Sequence, residues 1–488
     1  MKKMRILSLA LAVVMGASAL TGCAGSGDGG NTSGGGTSEV PTLTWWTVGG
    51  TVPSDFADSM AKINEYLAKE INAKIDIKVA SWDSYDTKMN TIVNSAEYFD
   101  LMFVNNTNYS RFVNLNAMLD ITEKVQSVTP DLYKFVPENL WEGIQLNGKV
   151  YAVPTYKDSS IAQFWYFDDK YVQKYDIKVD EIKTMDDLDP IFTKMKEGEG
   201  KSFYPVKMAQ GSIWNGFFNN YDDLCSGIPA IGVKVDDSSR KVVNTLEQPE
   251  IKHQFELLNK WYKAGIINPD ANVSKEEYKG LAFGNAQGWP GAAGTWQKLQ
   301  GVEKYELVKV FGPMYSTGTV QGSMNAVSKN SKYADAALKV LEFANTDHKF
   351  RDMLAYGIEG KDFEYVSENV VKVNKDSSWG TGLAKYTQAT FFNMSTVEGD
   401  DPDQWKDVQK QNEEATESVC MGYSLDQSNI KNEITNCIAV WEKYKYDLLT
   451  GAVDDLDAKL SKCIEELKAA GLDTIMQEAQ KQINEFFK

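Results

Sequence analysis

The chain is predicted to be an α/β protein of two or three lobes closed by a helical tail, and three features of its 488 residues predict this. From Leu43 to Val104 the apolar spacing alternates between two residues and three to four, the mark of strand-helix-strand-helix-strand. A second such region follows from Lys149, and from Ile430 onward only the helical spacing remains. The body of roughly 450 residues left once an N-terminal leader is set aside is too large for one core.

The leader comes first. Lys2, Lys3 and Arg5 precede an apolar run from Ile6 to about Ala19, the layout of a secretory signal peptide over residues 1–22. The run is shorter than the about 20 apolar residues a bilayer-spanning helix needs. It ends at Leu20-Thr21-Gly22-Cys23, which resembles the bacterial lipobox, whose Cys is lipidated and becomes the first mature residue. After Cys23, residues up to 40 are mostly Gly, Ser, Thr, Asp and Asn, the composition of a flexible tether.

Residues 43–48 then read as a strand ended by Gly49-Gly50. Pro53 and Ser54 open a helix carrying Phe56, Met60, Ile63 and Leu67. Ile75, Ile77 and Val79 alternate as a second strand, Tyr85, Met89, Ile92 and Val93 mark a helix, and residues 99–104 form a third strand. Right-handed crossovers make such strands parallel, with ligands bound beyond their carboxyl ends. That rule places positions 46–50, 80–83 and 105–108 on one rim, with Trp46, Trp82, Asp83, Asn105 and Asn106 as candidate ligand contacts.

The second region has strand-like segments at 149–153 and 161–167 and helices at 184–196 and 249–263. Residues 284–291, Gly-Asn-Ala-Gln-Gly-Trp-Pro-Gly, read as a loop. In the tail, Ile434, Trp441 and Leu448, then Leu456, Leu460, Ile464 and Leu467, then Ile475, Ala479 and Ile483 keep a helical step, with a stop at Gly471.

Composition excludes several functions. The net charge is -17, against the basic surface that nucleic acid requires. Arginine occurs only at 5, 111, 240 and 351, which disfavours a strongly anionic ligand. Cys225, Cys420, Cys437 and Cys463 fit no zinc spacing with His253 and His348. A disulfide is chemically allowed outside the cell, but Cys437 and Cys463 fall on apolar helix positions, which favours buried free thiols. Gly198-Glu199-Gly200-Lys201-Ser202 fails as a phosphate loop because Met195 stands where its first glycine belongs. No nucleophile elbow occurs, and no spacing singles out a catalytic carboxylate pair among the many Asp and Glu.

Binding remains. The 12 Trp and 23 Tyr suit flat apolar ligand faces such as those of pyranose rings, flanked by Asp, Glu, Asn and Gln. Candidate platforms near predicted loops are Trp45, Trp46, Trp82, Trp165, Trp214, Trp289, Trp296 and Trp379, with Trp46, Trp82 and Trp289 favoured by strand ends or the Gly-rich segment. Trp141, Trp261 and Trp441 lie in helical apolar patterns and are assigned to packing.

Several motifs carry a family resemblance from Cys23 to the C-terminus. They are Thr44-Trp45-Trp46, Tyr98-Phe99-Asp100-Leu101, the run 147–154 (Asn-Gly-Lys-Val-Tyr-Ala-Val-Pro) and the run 322–331. More specific are Tyr356-Gly357-Ile358-Glu359-Gly360-Lys361, Met421-Gly422-Tyr423-Ser424-Leu425-Asp426 and Lys468-Ala469-Ala470-Gly471. On these the chain resembles the extracellular solute-binding lipoproteins of bacterial carbohydrate ABC importers, in a Gram-positive subfamily with an extended helical C-terminal region. It departs from that subfamily's common Gly-Phe-Ser-Phe-Asp at 422–426 and has Asp362-Phe363 where His-Tyr is common.

The resemblance implies a two-lobed, periplasmic-binding-protein-like type II fold with a hinge and a helical C-terminal extension. Lobe 1 would be 41–153 plus 322–375, and lobe 2 would be 154–321 plus 376–488. It implies an oligosaccharide held in the cleft, no enzymatic activity, no cofactor and no metal. By position, Trp214 and Trp289 resemble second-lobe stacking aromatics, Trp379 follows the last crossing, and Glu359 joins the ligand set. The implied partners are a neutral oligosaccharide, the permease subunits of an ABC transporter, and the outer face of the cytoplasmic membrane through lipid on Cys23, for a monomer. A surface glycoside hydrolase or lyase, and a binder of peptides or other solutes, are the alternatives.

Overall fold

A computed structural model describes residues 40–488. The expected signal peptide, Cys23 and the tether as far as residue 39 lie outside the described residues.

The first sheet has five strands in the order Lys74–Ala80, Thr42–Val48, Leu101–Val104, Met324–Val327 and Ala152–Pro154. The first three are parallel, as the sequence predicts, and Met324–Val327 runs antiparallel to both its neighbours. The register sets Leu43 beside Ile75 and Trp45 beside Ile77, and all four side chains are buried. The helix Phe56–Ile71 packs on this sheet through Met60, Ile63 and Leu67 and ends at Asn72, whose φ of 53° is left-handed. Asn tolerates that conformation better than most residues, so it serves as the stop.

The second sheet runs Thr416–Glu417, Tyr305–Tyr315, Ile161–Asp168 and Phe283–Gln287. The first half of the expected 284–291 loop, residues 284–287, is therefore strand, with Gln163 opposite Gln287 and Tyr166 opposite Gly284. A Cβ at Gly284 would come within 2.2 Å of the Tyr166 ring. Here glycine permits close strand contact rather than a turn.

Two large apolar cores divide the chain. The first draws on residues 43–156 and 315–389 and the second on 165–308 and 420–483. The chain thus crosses between them at 157–164, 309–314 and 390–419. At the crossing Met314 pairs with both Ile161 and Thr416, so the three connections lie side by side in one sheet. Trp379, Leu383 and Ala389, expected in the second lobe, belong to the first core. The reason is local packing, since Trp379 stacks on Phe56 at 5.3 Å and donates its indole N–H to the Leu354 carbonyl.

The tail helices Lys431–Thr450, Leu456–Ala470 and Leu472–Phe486 all pack into the second core. Gly471 joins the last two at φ 111°, and a Cβ there would press on Glu433. Trp141, Trp261 and Trp441 are buried, as their helical spacing predicts. The four cysteines of the described residues are buried and free.

Candidate functional site

Two adjoining cavities open where the chain crosses between the cores. The first, of 460 Å³, is walled by Asn106, Ser316 and Thr319 on one side and by Phe218, Tyr221 and Asp222 on the other. The second, of 530 Å³, is walled by Trp289, Trp405, Phe391, Tyr356, Lys385 and Asp400. Lys157, Asp158, Gln287 and Tyr386 line both, so the two form one continuous cleft.

Backbone geometry fixes the shared residues. Asn412 accepts from the Ser160 N–H (3.0 Å) and hydroxyl (2.8 Å) and donates to the Lys157 carbonyl, which pins the first crossing. The pinned segment presents Lys157 and Asp158 as an ion pair at 2.5 Å. Gln287 ends the edge strand Phe283–Gln287. Tyr386 sits in the single turn Lys385–Thr387, which is held because Thr387 meets Thr47 at 2.9 Å and Ser323 donates to the Tyr386 carbonyl.

Burial shapes the electrostatics. It pushes the Asp222 carboxyl up to about 6, and Asp222 Oδ2 has no partner inside the protein. Burial, reinforced by the neighbouring Arg351, pushes the Lys385 amine down to about 8. Buried polar atoms without partners are costly, and in a cleft they mark places where a ligand completes the bonding. Among the described residues no group of His, Cys, Asp and Glu is arranged to hold a metal ion.

The structure brings some sequence candidates to the cleft and keeps others away. Trp289 lines the second cavity, half-buried, with Trp405 at 6.4 Å. Asn106 is exposed at the rim of the first cavity. Trp82 is 50% exposed and stacks on Tyr386 with its indole N–H donated to the Tyr386 hydroxyl at 2.8 Å, so it flanks the cleft through that ring. Asn105 turns its carboxamide oxygen back to Thr107 N–H and hydroxyl, shaping the rim turn. Trp46 is half-buried under Lys88, whose amine lies 5.3 Å from its ring, and neither it nor the exposed Asp83 lines either cavity. Glu359 is exposed at a bridge to Phe363 and also lines neither.

Three tryptophans, Trp45, Trp379 and Trp296, are corrected to packing roles. Trp45 is fully buried, and its indole N–H donates to Asn325 at 2.9 Å because both faces of the first sheet are covered. Trp379 is buried as described above. Trp165 and Trp214 meet edge-on at 6.0 Å in the second core and line a third cavity of 280 Å³, which shares Asn219 and Phe311 with the first. Trp296 stacks on Tyr166 at 4.8 Å and lines neither cavity of the cleft.

Sequence reasoning missed Tyr386, Lys385, Trp405, Asp222 and the Lys157–Asp158 pair. Trp405 carried a usable signal, since it follows the turn-rich run Gly399-Asp400-Asp401-Pro402-Asp403, as Trp289 follows its glycines. The others offered none, because long-range packing turns them toward the cleft.

Comparison with known proteins agrees with this architecture. Residues 50–348 match the model of the bacterial extracellular solute-binding protein family, and residues 419–488 match a domain of unknown function (DUF3502). A carbohydrate ABC transporter substrate-binding protein of Streptococcus pneumoniae is 26% identical over 467 residues, 92% of each chain. The diacetylchitobiose binding protein DasA of Streptomyces coelicolor is 23% identical over 71% of this chain and 79% of its own. Among solved structures, the N-glycan transport solute binding protein NgtS of Streptococcus pneumoniae superposes with a TM-score of 0.81 at 25% identity, covering 91% of this chain and 99% of its own. Its complex with Man1GlcNAc superposes at 0.72 over the same shares. The family model spans more than half of the sequence, and the chain belongs to the bacterial extracellular solute-binding proteins.

Proposed function

We propose that the chain captures an oligosaccharide outside the cell and delivers it, chemically unchanged, to the permease subunits of an ABC importer. One observation carries this reading. The cleft between the cores sets aromatic rings (Tyr386, Trp289, Trp405) beside groups that donate and accept hydrogen bonds (Asn106, Asp158, Gln287). Pyranose rings need both at once, an apolar platform for the ring face and polar partners for the hydroxyl rim. The glycan complexes of NgtS support the same ligand class.

Both cores contribute walls, so a bound sugar gains contacts when they approach. Ligand therefore shifts the population toward a closed form, bent at the three side-by-side crossings. The carboxylates of Asp158 and Asp222 in the first cavity favour neutral rings there. A monomer anchored through lipid on Cys23 would hold the cleft near the permease.

A thermal-shift screen over oligosaccharides, followed by titration calorimetry, tests the reading. A binding glycan should raise the melting temperature and show a dissociation constant around micromolar, about -8 kcal/mol. No shift with any oligosaccharide, beside a shift with peptides, would overturn it. Reducing-sugar release from a bound glycan would instead indicate a hydrolase. Changing Cys23 to Ala should move the mature protein out of the membrane fraction, and unchanged membrane retention would refute the anchor.

A further inference from the structure

We propose that the second cavity is a subsite for an anionic substituent of the captured glycan, a carboxylate or a sulfate, which pairs with Lys385. The inference rests on the oligosaccharide reading and adds a charge to one end of the ligand.

The argument starts from two cations that lack counter-ions. Lys385 lines the cavity with its amine 4.1 Å from the centre of the Tyr356 ring. Among the described residues, no carboxylate comes within salt-bridge distance of it or of Arg351 behind it. Arg351 is fully buried and donates only to the carbonyls of Thr390 (2.6 Å) and Lys385 (2.8 Å), leaving Nη1 without a partner.

The nearby carboxylates are committed elsewhere. Asp352 accepts from the Ser395 N–H and hydroxyl and from the Tyr365 hydroxyl, and lies 3.2 Å from His348. Asp400 pairs with Lys298, and Asp158 pairs with Lys157. Burying a charge without a partner is strongly unfavourable, and adjoining like charges add to the cost. In a chain with net charge -17 and four arginines, Lys385 at the cavity wall with the buried Arg351 behind it attracts an anion.

Asp158 and Asp400 also line this cavity, and each is neutralised by its own lysine, which leaves Lys385 as the unpaired charge on the wall. Trp289, Trp405 and Phe391 offer ring faces, and Tyr386 leads into the first cavity, where the rest of the glycan lies. The depressed basicity of Lys385 follows from the same isolation and should rise once an anion is seated. The scarcity of arginine argued for a neutral ligand, yet one of the four arginines stands behind this cavity.

The test uses the full mature chain on a glycan array that sets each neutral oligosaccharide beside its uronyl, sialyl and sulfated counterparts, with affinities confirmed by calorimetry. Acidic members should bind about tenfold tighter or more, the scale of a charge-assisted contact. Lys385→Met should bring acidic members down to the level of their neutral counterparts. Lys385→Gln serves as a second variant if the first unfolds. A response to both carboxylate and sulfate supports a general anion subsite, and a response to only one narrows the class. Equal or tighter binding of the neutral members, or a preference that survives loss of Lys385, overturns the inference and leaves the oligosaccharide reading standing. No binding to any member overturns both.

Discussion

Replacing Asp222 with Asn should make the free protein more stable at neutral pH. Burial raises the Asp222 carboxyl from 3.8 to about 6. At 1.36 kcal/mol for each tenfold step, holding it ionised in the fold costs about 3 kcal/mol, an upper bound. The sign follows from the direction of the shift. The folded state takes up the proton more readily than the unfolded chain, so no penalty exists below about pH 4. The penalty grows as pH rises through about 6 and is complete near pH 7.5. The Asn variant should therefore gain up to about 3 kcal/mol over the native chain near pH 7.5 and much less near pH 4. Urea unfolding at the two pH values, with unchanged slopes, measures the difference. If the variant's advantage is the same at both, the carboxyl does not carry this strain and the reasoning fails. Ligand binding offers a second readout. A sugar hydroxyl donating to Oδ2 favours the ionised form, so native affinity should fall below about pH 6 while the variant's stays level.

Three further outcomes follow from the packing. Trp45→Ala should cost roughly 3–5 kcal/mol of stability, whereas Trp289→Ala should cost mainly about 1–3 kcal/mol of binding. Denaturation and calorimetry on both variants separate the roles, and the reverse pattern would return Trp45 to the site. Cys225, Cys420 and Cys463, whose thiols burial pushes up to about 12, should resist a thiol reagent in the native state and react on unfolding. Reductant should leave the unfolding midpoint unchanged, and a clear drop would reveal a disulfide.

The sequence was legible wherever the physics is local. Leu43, Trp45, Ile75 and Ile77 alternate because each strand turns every second side chain to the same face, and Leu456, Leu460 and Leu467 recur because the helix does so every three to four. The tail helices and the parallel start of the first sheet could be read from those periods alone. Periodicity does not say how many faces of a sheet are covered, and that misplaced Trp45 and Trp296. It assigned Gly284 to a loop because a glycine that lets two strands touch looks, in sequence, like one that turns the chain. Tyr386 and Lys385 reach the cleft through Thr47 and Arg351, which lie hundreds and tens of residues away in the chain. A contact of that span leaves no trace in spacing.

The arrangement of the crossings also governs the order in which the molecule can be made. Each core takes chain from both sides of a crossing, so neither lobe is a contiguous stretch. The first core is incomplete until residues 315–389 have joined residues 43–156, and the second until Ile475, Ala479 and Ile483 have joined residues 165–308. A chain that emerges N-terminus first cannot finish either lobe early. Truncating after Gly471 should accordingly leave the second lobe open to protease, while a truncated form as resistant as the full chain would show that the last helix is dispensable.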